Sequence, residues 1–382
     1  MSAHILLFST TLDWVFPAQL AGAFKELGAH VEVLCPPRSL TALSQHPLRF
    51  HDYRAFAGLD SLQDAMAAVQ PDLVIPCDDQ AAELVARSRG ASIPTRMDFL
   101  EAAGLAGAPA APSMAITSES DVERALNKMG LPLVLKADHS WGGEGVAIAA
   151  TAQDARAAFH RMNNPSRLRD LARALRGRGP HFLTRAIAPT APQISAQAFI
   201  AGTCATSSIA CWRGELLGAH HFDVVLSSTP TSPASVIEAV PCPQMEASAL
   251  AITKALNLSG LFGLDYIRDV RGQVHLLEMN ARATPTMHLA LDEDLPAALL
   301  TAAGFSVRHR APVTDRSEIA LFPREWLRDP ESPWLIRAFH DVPRNDPQVV
   351  RACIQSATAA ARALLERPAA PVLTEKVAVF GG

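Results

Sequence analysis

The sequence is poor in aromatic residues and in net charge, and these shortages exclude several classes of protein. Phe, Trp and Tyr make up 6% of the 382 residues, and the formal net charge is −4 without long blocks of one sign. Nucleic-acid-binding proteins usually carry a basic stripe, so no nucleic-acid partner is expected. No apolar run reaches the length of a membrane span, and the apolar start at residues 4–8 is too short for a signal-peptide core. The shortages predict a cytoplasmic protein that makes no membrane contact.

Cysteines at metal-binding or redox spacing are also missing. The six cysteines include no Cys-x-x-Cys pair and none with nearby histidines at zinc-finger spacing. Cys204 and Cys211 are close enough in sequence to pair, but buried, reduced thiols are the interpretation that best fits a cytoplasmic protein. We therefore expect neither a zinc site nor a disulfide framework.

The start of the chain has the alternation of strands and helices that is typical of a parallel sheet. Residues 4–8 and 31–35 read as buried strands on either side of a helix over 15–27. This β-α-β order implies parallel strands. Asp78 and Asp79 follow a third predicted strand, at the end where open parallel sheets hold ligands. Capping of the next helix is the competing explanation for both residues.

The most informative stretch is GLDYIRDVRGQVHLLEMNAR at residues 263–282, which reads as two strands joined by a polar turn. Strands joined by a short turn pair antiparallel, so Asp265 and Glu278 can face each other. Side chains alternate along a strand, so Glu278, Asn280 and Arg282 share one face. Carboxylate and amide oxygens suit Mg²⁺ held together with substrate phosphates, and a guanidinium can bind phosphate or carboxylate. An amphipathic hairpin whose polar face meets water would show the same pattern.

A glycine-rich segment, LPLVLKADHSWGGEG, lies upstream. Lys136 ends an apolar strand there, and Gly142, Gly143 and Gly145 follow in the loop. Backbone amides of such a loop can approach phosphates closely because glycine has no side chain, and the lysine can reach the same phosphates. The loop joins strand to strand, so it departs from the Walker pattern and would act as a flap over a nucleotide. A surface hairpin with an exposed lysine is the competing interpretation.

The order of these segments resembles the ATP-grasp superfamily from about residue 94 to residue 290. In that family a strand ending in lysine, a glycine-rich hairpin and an Asp…Glu-x-Asn-x-Arg hairpin follow one another along the chain. The hairpin at 263–282 is similar to the metal-binding hairpin of D-alanine–D-alanine ligase and of the biotin carboxylase and carbamoyl phosphate synthase branch. The resemblance implies an ATP-grasp fold of α/β and α+β class, preceded by a parallel-sheet domain.

The resemblance also implies roles for individual residues. Asp265, Glu278 and Asn280 would hold Mg²⁺ (or Mn²⁺) at the phosphates of ATP. Arg282 would contact the transferred phosphate or the substrate carboxylate, and Lys136 the α and β phosphates. The glycine-rich loop would close over the triphosphate.

Two departures from the family pattern concern the nucleotide contacts. The family commonly has a lysine before the helix that leads into the small subdomain, and here Arg96 is the nearest cation that can substitute, although Arg and Lys differ in geometry. Backbone atoms of Thr184, Ala186 and Ile187 would contact adenine. Gln193 lies roughly where an acid usually holds the ribose, and its amide can still hydrogen-bond the hydroxyls.

The expected organisation has four units. Residues 1–93 would form the N-terminal α/β domain, and 94–175 the small ATP-grasp subdomain with the glycine-rich loop. Residues 176–310 would form the large subdomain with the metal hairpin, and 311–382 a C-terminal extension.

The implied function is that of an ATP-dependent ligase that activates a carboxylate as an acyl phosphate and joins it to an amine or thiol. Two alternatives stay open: a small-molecule kinase of the same fold, and a nucleotide-binding regulatory protein with an inert site. The expected partners are small-molecule carboxylates and amines, with amino acids among the candidates, and a homodimer is left open. His288 and the segment FPREW at 322–326 could line or close the substrate site. An ordinary polar histidine and structural packing are the competing explanations.

Overall fold

The computed structural model describes residues 2–138, 145–164 and 192–355, in which the strands form three sheets. The first sheet consists of β1 (His4–Phe8), β2 (His30–Cys35), β3 (Arg49–Asp52) and β4 (Leu73–Pro76). Its spatial order is β3-β2-β1-β4, with parallel pairing throughout. The helices of this part are α1 (Phe16–Glu26), α2 (Gly58–Val69) and α3 (Asp79–Ser88), with short 3₁₀ helices at Thr41–Leu43 and Ala55–Ala57. The predicted β-α-β start and parallel sheet are confirmed.

Apolar residues on both faces of β1 explain why this sheet is covered on both sides. Leu7 packs with Phe24 of α1 on one face, and Leu6 packs with Leu62 of α2 on the other. Gly28 ends the first helix with φ +92°, a backbone conformation that favours glycine.

The second sheet is small and antiparallel. It consists of β5 (Ser113–Ile116), β6 (Leu133–Ala137), β7 (Val146–Ala149) and β8 (Ile194–Ala198), in the order β5-β8-β6-β7. Helix α4 (Arg96–Leu105) comes first in the chain and packs in the core of the third sheet, described next, whereas α5 (Glu119–Met129) and α6 (Ala152–Asn163) cover this sheet. Leu133 and Leu135 pack beneath α5 and α6. Because side chains alternate along a strand, Lys136 points to the opposite face of the sheet.

The third sheet is large and mixed. It consists of β9 (Gly202–Trp212), β10 (Glu215–Ser227), β11 (Ala234–Ala239), β12 (Gly260–Asp269), β13 (Val274–Asn280), β14 (Glu318–Ala320) and β15 (Phe339–His340). The order is β13-β12-β9-β10-β11-β14-β15, antiparallel except for the last pair. The remaining helices are α7 (Pro243–Ala255), α8 (Leu295–Ala302), α9 (Arg324–Arg328) and α10 (Trp334–Arg337), and residues 347–355 are helical as well.

Segments from different predicted units contribute to the same sheet. Strand β8 belongs to the second sheet although it follows residue 175, and β14 and β15 complete the third sheet although they follow residue 310. Membership in a sheet does not define where a domain begins or ends, so the bounds of the four predicted units stay a prediction. None of the helices in the described ranges combines the length and apolarity needed to cross a membrane.

The first and third sheets meet beside the β12–β13 hairpin. Leu299 of α8 belongs to the same buried core as Leu7 and Phe24. The Ala283 N–H donates to the Pro76 carbonyl oxygen at 2.9 Å, which ties the chain after β13 to the carboxyl end of β4. Ligands of open parallel sheets bind beyond that end. The fold thus brings the predicted metal hairpin to the predicted ligand edge.

Candidate active site

The β12–β13 hairpin has the predicted register. Asp265 pairs with Glu278 and Gly263 with Asn280, with a bulge just after Asp265. The turn closes at Gly272, whose φ of +78° favours glycine. Residues directly opposite in an antiparallel pair point to the same side, so the two carboxylates are neighbours.

Asp265 is held in an environment that opposes its negative charge. Burial raises the pKa of its carboxyl group, and the charge of Glu278 raises it further. Asn280 works in the opposite direction, because its Nδ2 donates to Asp265 Oδ2 at 2.9 Å. Two carboxylates in this arrangement favour a bound cation.

Two cations, one on β6 and one at the start of α4, face Glu278. Lys136 Nζ lies 3.8 Å from Glu278 Oε2, and Arg96 Nη2 lies 2.9 Å from the same oxygen. Burial alone would raise the pKa of Glu278, but the charges of Lys136 and Arg96 outweigh it and lower the pKa below its usual range. Arg96 also pairs with Asp138, with 2.6 Å between Nη1 and Oδ1. Arg96, the cation that can substitute for the family lysine, thus contacts the hairpin directly.

Lys136 is not the exposed lysine of a surface hairpin, so that interpretation is wrong. Its residue is 6% exposed, and burial lowers the pKa of its ammonium group against the opposing charge of Glu278. The strands on either side of its loop pair antiparallel, with Lys136 opposite Val146. The loop therefore joins strand to strand, as predicted.

Arg282 lies where the hairpin meets the first sheet. Its Nε donates to Asp79 Oδ1 at 2.8 Å, and its Nη2 donates to Asn280 Oδ1 at 3.2 Å. The Trp14 ring lies beside the guanidinium, with 5.3 Å between the ring centroid and Cζ. Burial opposes the charge of Arg282, but Asp79 outweighs it and raises the pKa of the guanidinium.

The structure shows capping for Asp78, whereas contact of Asp78 or Asp79 with a ligand stays a prediction. Asp78 caps α3, since its Oδ1 accepts from the Ala81 N–H at 2.9 Å, and it also accepts from Ser9 Oγ at 3.0 Å. Asp79 instead binds Arg282. Sequence reasoning missed Trp14 and Asp138 at this site. The position of Asp138 two residues after Lys136 was a usable signal, whereas nothing in the sequence marked Trp14.

The remaining predicted nucleotide contacts are covered only in part. Gly145 accepts the Ala137 N–H at 2.8 Å, and the Gln193 carbonyl accepts the Asp138 N–H at 2.8 Å, so both lie beside β6. The other five positions lie outside the described residues: Gly142, Gly143, Thr184, Ala186 and Ile187.

The hairpin fits a magnesium ion that shares its coordination with a substrate. The described residues contain no cluster of three or more His, Cys, Asp and Glu side chains that could hold a metal alone. Asp265 and Glu278 supply two hard oxygen donors, and Mg²⁺ commonly takes one or two carboxylates together with phosphate oxygens and water. The Asn280 oxygen accepts from Arg282 in this structure.

The fold and the site together define an ATP-grasp protein, and a comparison with family models agrees. Residues 95–291 match the model described as carbamoyl-phosphate synthase L chain, ATP binding domain. This match spans just over half of the sequence, and the chain belongs to that family. The predicted ATP-grasp resemblance, fold class and ATP-binding domain are confirmed. A search of curated protein sequences gives no match.

Solved structures share the fold at low sequence identity. N5-carboxyaminoimidazole synthetase from Staphylococcus aureus has a TM-score of 0.56 and 13% identity over 80% of this chain and 78% of that one. L-amino acid ligase from Bacillus licheniformis has a TM-score of 0.56 and 13% identity over 80% and 75%. The biotin carboxylase domain of 2-oxoglutarate carboxylase from Hydrogenobacter thermophilus, solved with MgADP, ADP and bicarbonate, has a TM-score of 0.58 and 15% identity over 81% and 71%.

Proposed function

We propose that this protein is an ATP-dependent ligase that joins a small-molecule carboxylate to an amine. The observation that carries the proposal is the cluster at the hairpin, where Asp265 and Glu278 stand in register and Lys136 is buried against Glu278. The cluster lies within the ATP-binding family match. A carboxylate is a poor electrophile at neutral pH, and phosphorylation supplies the leaving group that it lacks.

We assign the charged residues to the phosphates of ATP. Lys136 and Arg96 are the cations beside Glu278, and both can bind phosphate oxygens. Asp265, Glu278 and Asn280 would hold Mg²⁺ or Mn²⁺, which neutralises phosphate charge when it is bound. The outer contacts stay as predicted: Gly142, Gly143 and Gly145 over the triphosphate, Thr184, Ala186 and Ile187 at adenine, and Gln193 at ribose.

The proposed reaction has two steps. A carboxylate oxygen of the substrate attacks the γ-phosphorus of ATP, the bond to the bridging oxygen breaks, and ADP leaves. The amine nitrogen then attacks the carbonyl carbon of the acyl phosphate, loses a proton, and displaces phosphate. Arg282 is the cation on the substrate side of the hairpin, where it can orient the carboxylate and offset developing negative charge.

The structural neighbours support small molecules as the substrates. They include an L-amino acid ligase and complexes with bicarbonate or 5-aminoimidazole ribonucleotide. We infer that amino acids belong among the first compounds to test on this chain. A homodimer stays open, as does the proposal that residues 1–93, 94–175, 176–310 and 311–382 act as separate units.

The test is release of ADP from MgATP in the presence of pooled carboxylates, with and without pooled amines. Release of ADP that depends on both a carboxylate and an amine, together with an amide product detected by mass spectrometry, is the expected result. Release without any amine would favour the kinase alternative. Nucleotide binding without turnover of any pool would favour the regulatory alternative.

A further inference from the structure

The FPREW segment at 322–326 packs against the chain that follows β1. Phe322 is buried in a small core with Val15 of the first-sheet region. Val15 directly follows Trp14, whose ring lies beside Arg282. Phe322 and Trp14 therefore bring the C-terminal segment and the end of the hairpin to the same place.

Two adjacent residues of this segment have opposite environments. Glu325 is fully buried and satisfied, since it accepts from Arg328 Nε at 2.7 Å and from Ser235 Oγ at 2.7 Å. Among the described residues, Arg324 has one hydrogen-bond acceptor, the Ala234 carbonyl oxygen, at 3.2 Å from its Nη1. No carboxylate of the described residues lies within ion-pair distance of Arg324, which is only half-buried. Glu325 thus anchors the segment, while Arg324 has guanidinium N–H donors that none of the described residues accepts.

The charged residues that the structure describes around Arg324 include no ion-pair partner for it. Burial lowers the pKa of Arg324 to about 10, and the charge of Arg282 lowers it as well, while Asp341 and Asp13 act against both. The guanidinium is therefore still protonated at neutral pH. Asp341 is engaged elsewhere: it accepts the Phe322 N–H, and its Oδ2 lies 3.5 Å from His288. A partly desolvated cation beside a like charge is costly unless an anion joins it.

We propose that Arg324 binds a second anionic group of the acid whose reacting carboxylate lies at Arg282. The substrate would then be a small acid with two anionic groups, the second being a carboxylate or a phosphate. This inference rests on the proposed function for the role of Arg282. ATP is the less suitable anion, because Arg324 lies beyond residues 95–291, which match the ATP-binding family model. Arg324 would act as a specificity-determining residue.

The test measures binding by titration calorimetry to the full chain, without nucleotide. The probes are acetate, with one anionic group, succinate, with two carboxylates, and phosphoglycolate, with a carboxylate and a phosphate. We expect at least one of the two dianions to bind about 10- to 100-fold more tightly than acetate, as two charge-assisted contacts imply. Which of them binds distinguishes a second carboxylate from a phosphate. Equal affinities for all three probes would overturn the proposal.

Variants test whether Arg324 causes the tighter binding of the probes with two anionic groups. Arg324→Met should remove it, so that the probes with two anionic groups bind no more tightly than acetate. Arg324→Lys keeps the charge without the two-pronged donor geometry and should retain part of it. Arg337→Met is the control, because Arg337 belongs to the same part of the chain and its side chain is 56% exposed. The assignment would be refuted if folded Arg324→Met still bound these probes more tightly than acetate by the wild-type factor. It would also be refuted if the variant lost affinity for ATP instead.

If Arg324→Met does not fold, Arg324→Lys decides the question, since it can still donate to the Ala234 carbonyl. An advantage equal to that of the wild type in this variant would count against the proposal. The binding assay uses no ATP, so it tests Arg324 independently of the ligase reaction. If the protein binds the probe with two anionic groups but releases no ADP, the ligase proposal fails and the assignment of Arg324 stands.

Discussion

The two ends of the β12–β13 hairpin site are built in different ways. At the phosphate end, Glu278 meets Lys136 and Arg96, and all three lie within the ATP-binding family match. At the acid end, Arg282 meets Trp14 and Asp79 from the first-sheet region. One end is assembled within a single family domain, and the other gathers segments that are far apart in sequence.

This difference separates the general chemistry of the site from its selectivity. The phosphate end has matched charges, with two carboxylates facing two cations, which suits a nucleotide and a metal that every ATP-grasp protein must bind. The acid end combines an aromatic ring with cations from different parts of the chain. Substitutions at the phosphate end should therefore affect ATP use, while those at the acid end should affect the choice of acid.

The largest effect is expected from Glu278→Gln. The amide keeps the shape of the side chain but loses the charge that faces Asp265, Lys136 and Arg96, so we expect ADP release to fall by about a thousandfold. Circular dichroism should show a folded protein. Glu215→Gln, on the exposed start of β10, is the control and should keep full activity. Activity near that of the wild type in Glu278→Gln would remove the hairpin from the site.

Asp265→Asn should lower activity by about a hundredfold or more while raising stability at neutral pH. A carboxyl whose pKa is raised in the folded state favours folding at low pH and loses that contribution as pH rises toward its folded-state pKa. The variant removes this loss, so its thermal midpoint should exceed that of the wild type more at pH 7.5 than at pH 4.5.

Asp269→Asn, at the end of the same strand, is the control with the opposite sign. Hydrogen bonding from His275 lowers the pKa of Asp269, so its carboxylate favours folding above its usual titration range. That variant should be less stable at pH 7.5 and still release ADP normally. A stability loss in Asp265→Asn as large as in Asp269→Asn would contradict the inferred environment of Asp265.

Lys136→Met should act mainly on ATP. Removing the buried ammonium that we assign to the ATP phosphates should raise the KM for ATP by about 10- to 100-fold, with a smaller change in the KM for the acid. Lys128→Met, near the end of α5, is a suitable control. An unchanged KM for ATP would exclude Lys136 from the nucleotide site.

The phosphate end could be predicted from sequence because its signals are local. Strand alternation puts Glu278 and Asn280 on one face, and a short turn sets Asp265 opposite Glu278, so the pairing needed only the hairpin. Arg96 was identified as the cation that could replace a family lysine. Its direct pairing with Glu278 depends on how α4 sits against β13, which no local pattern encodes.

The acid end could not be predicted in the same way because its contacts join distant parts of the chain. The Asp79–Arg282 pair depends on the docking of the first sheet against the third. The position of Phe322 beside Val15 depends on the same docking. Local periodicity carries no information about such contacts, so the sequence could not show that Asp79 pairs with Arg282. It gave no signal at all for Trp14.

The smallest effect is expected from Trp14→Leu, and it tests whether the acid end acts on the acid alone. The substitution removes the ring that lies 5.3 Å from the Arg282 guanidinium and keeps an apolar side chain in its place. A cation–π contact contributes roughly 0.5–2 kcal/mol, so the KM for the acid should rise about 3- to 30-fold while the KM for ATP stays within about twofold. Trp212→Leu, whose ring lies beside Arg213 rather than Arg282, is the matched control and should change neither constant. Equal increases in both constants for Trp14→Leu would mean that the two ends of the site are not separable, because the ring would then stabilise the whole hairpin rather than the orientation of Arg282.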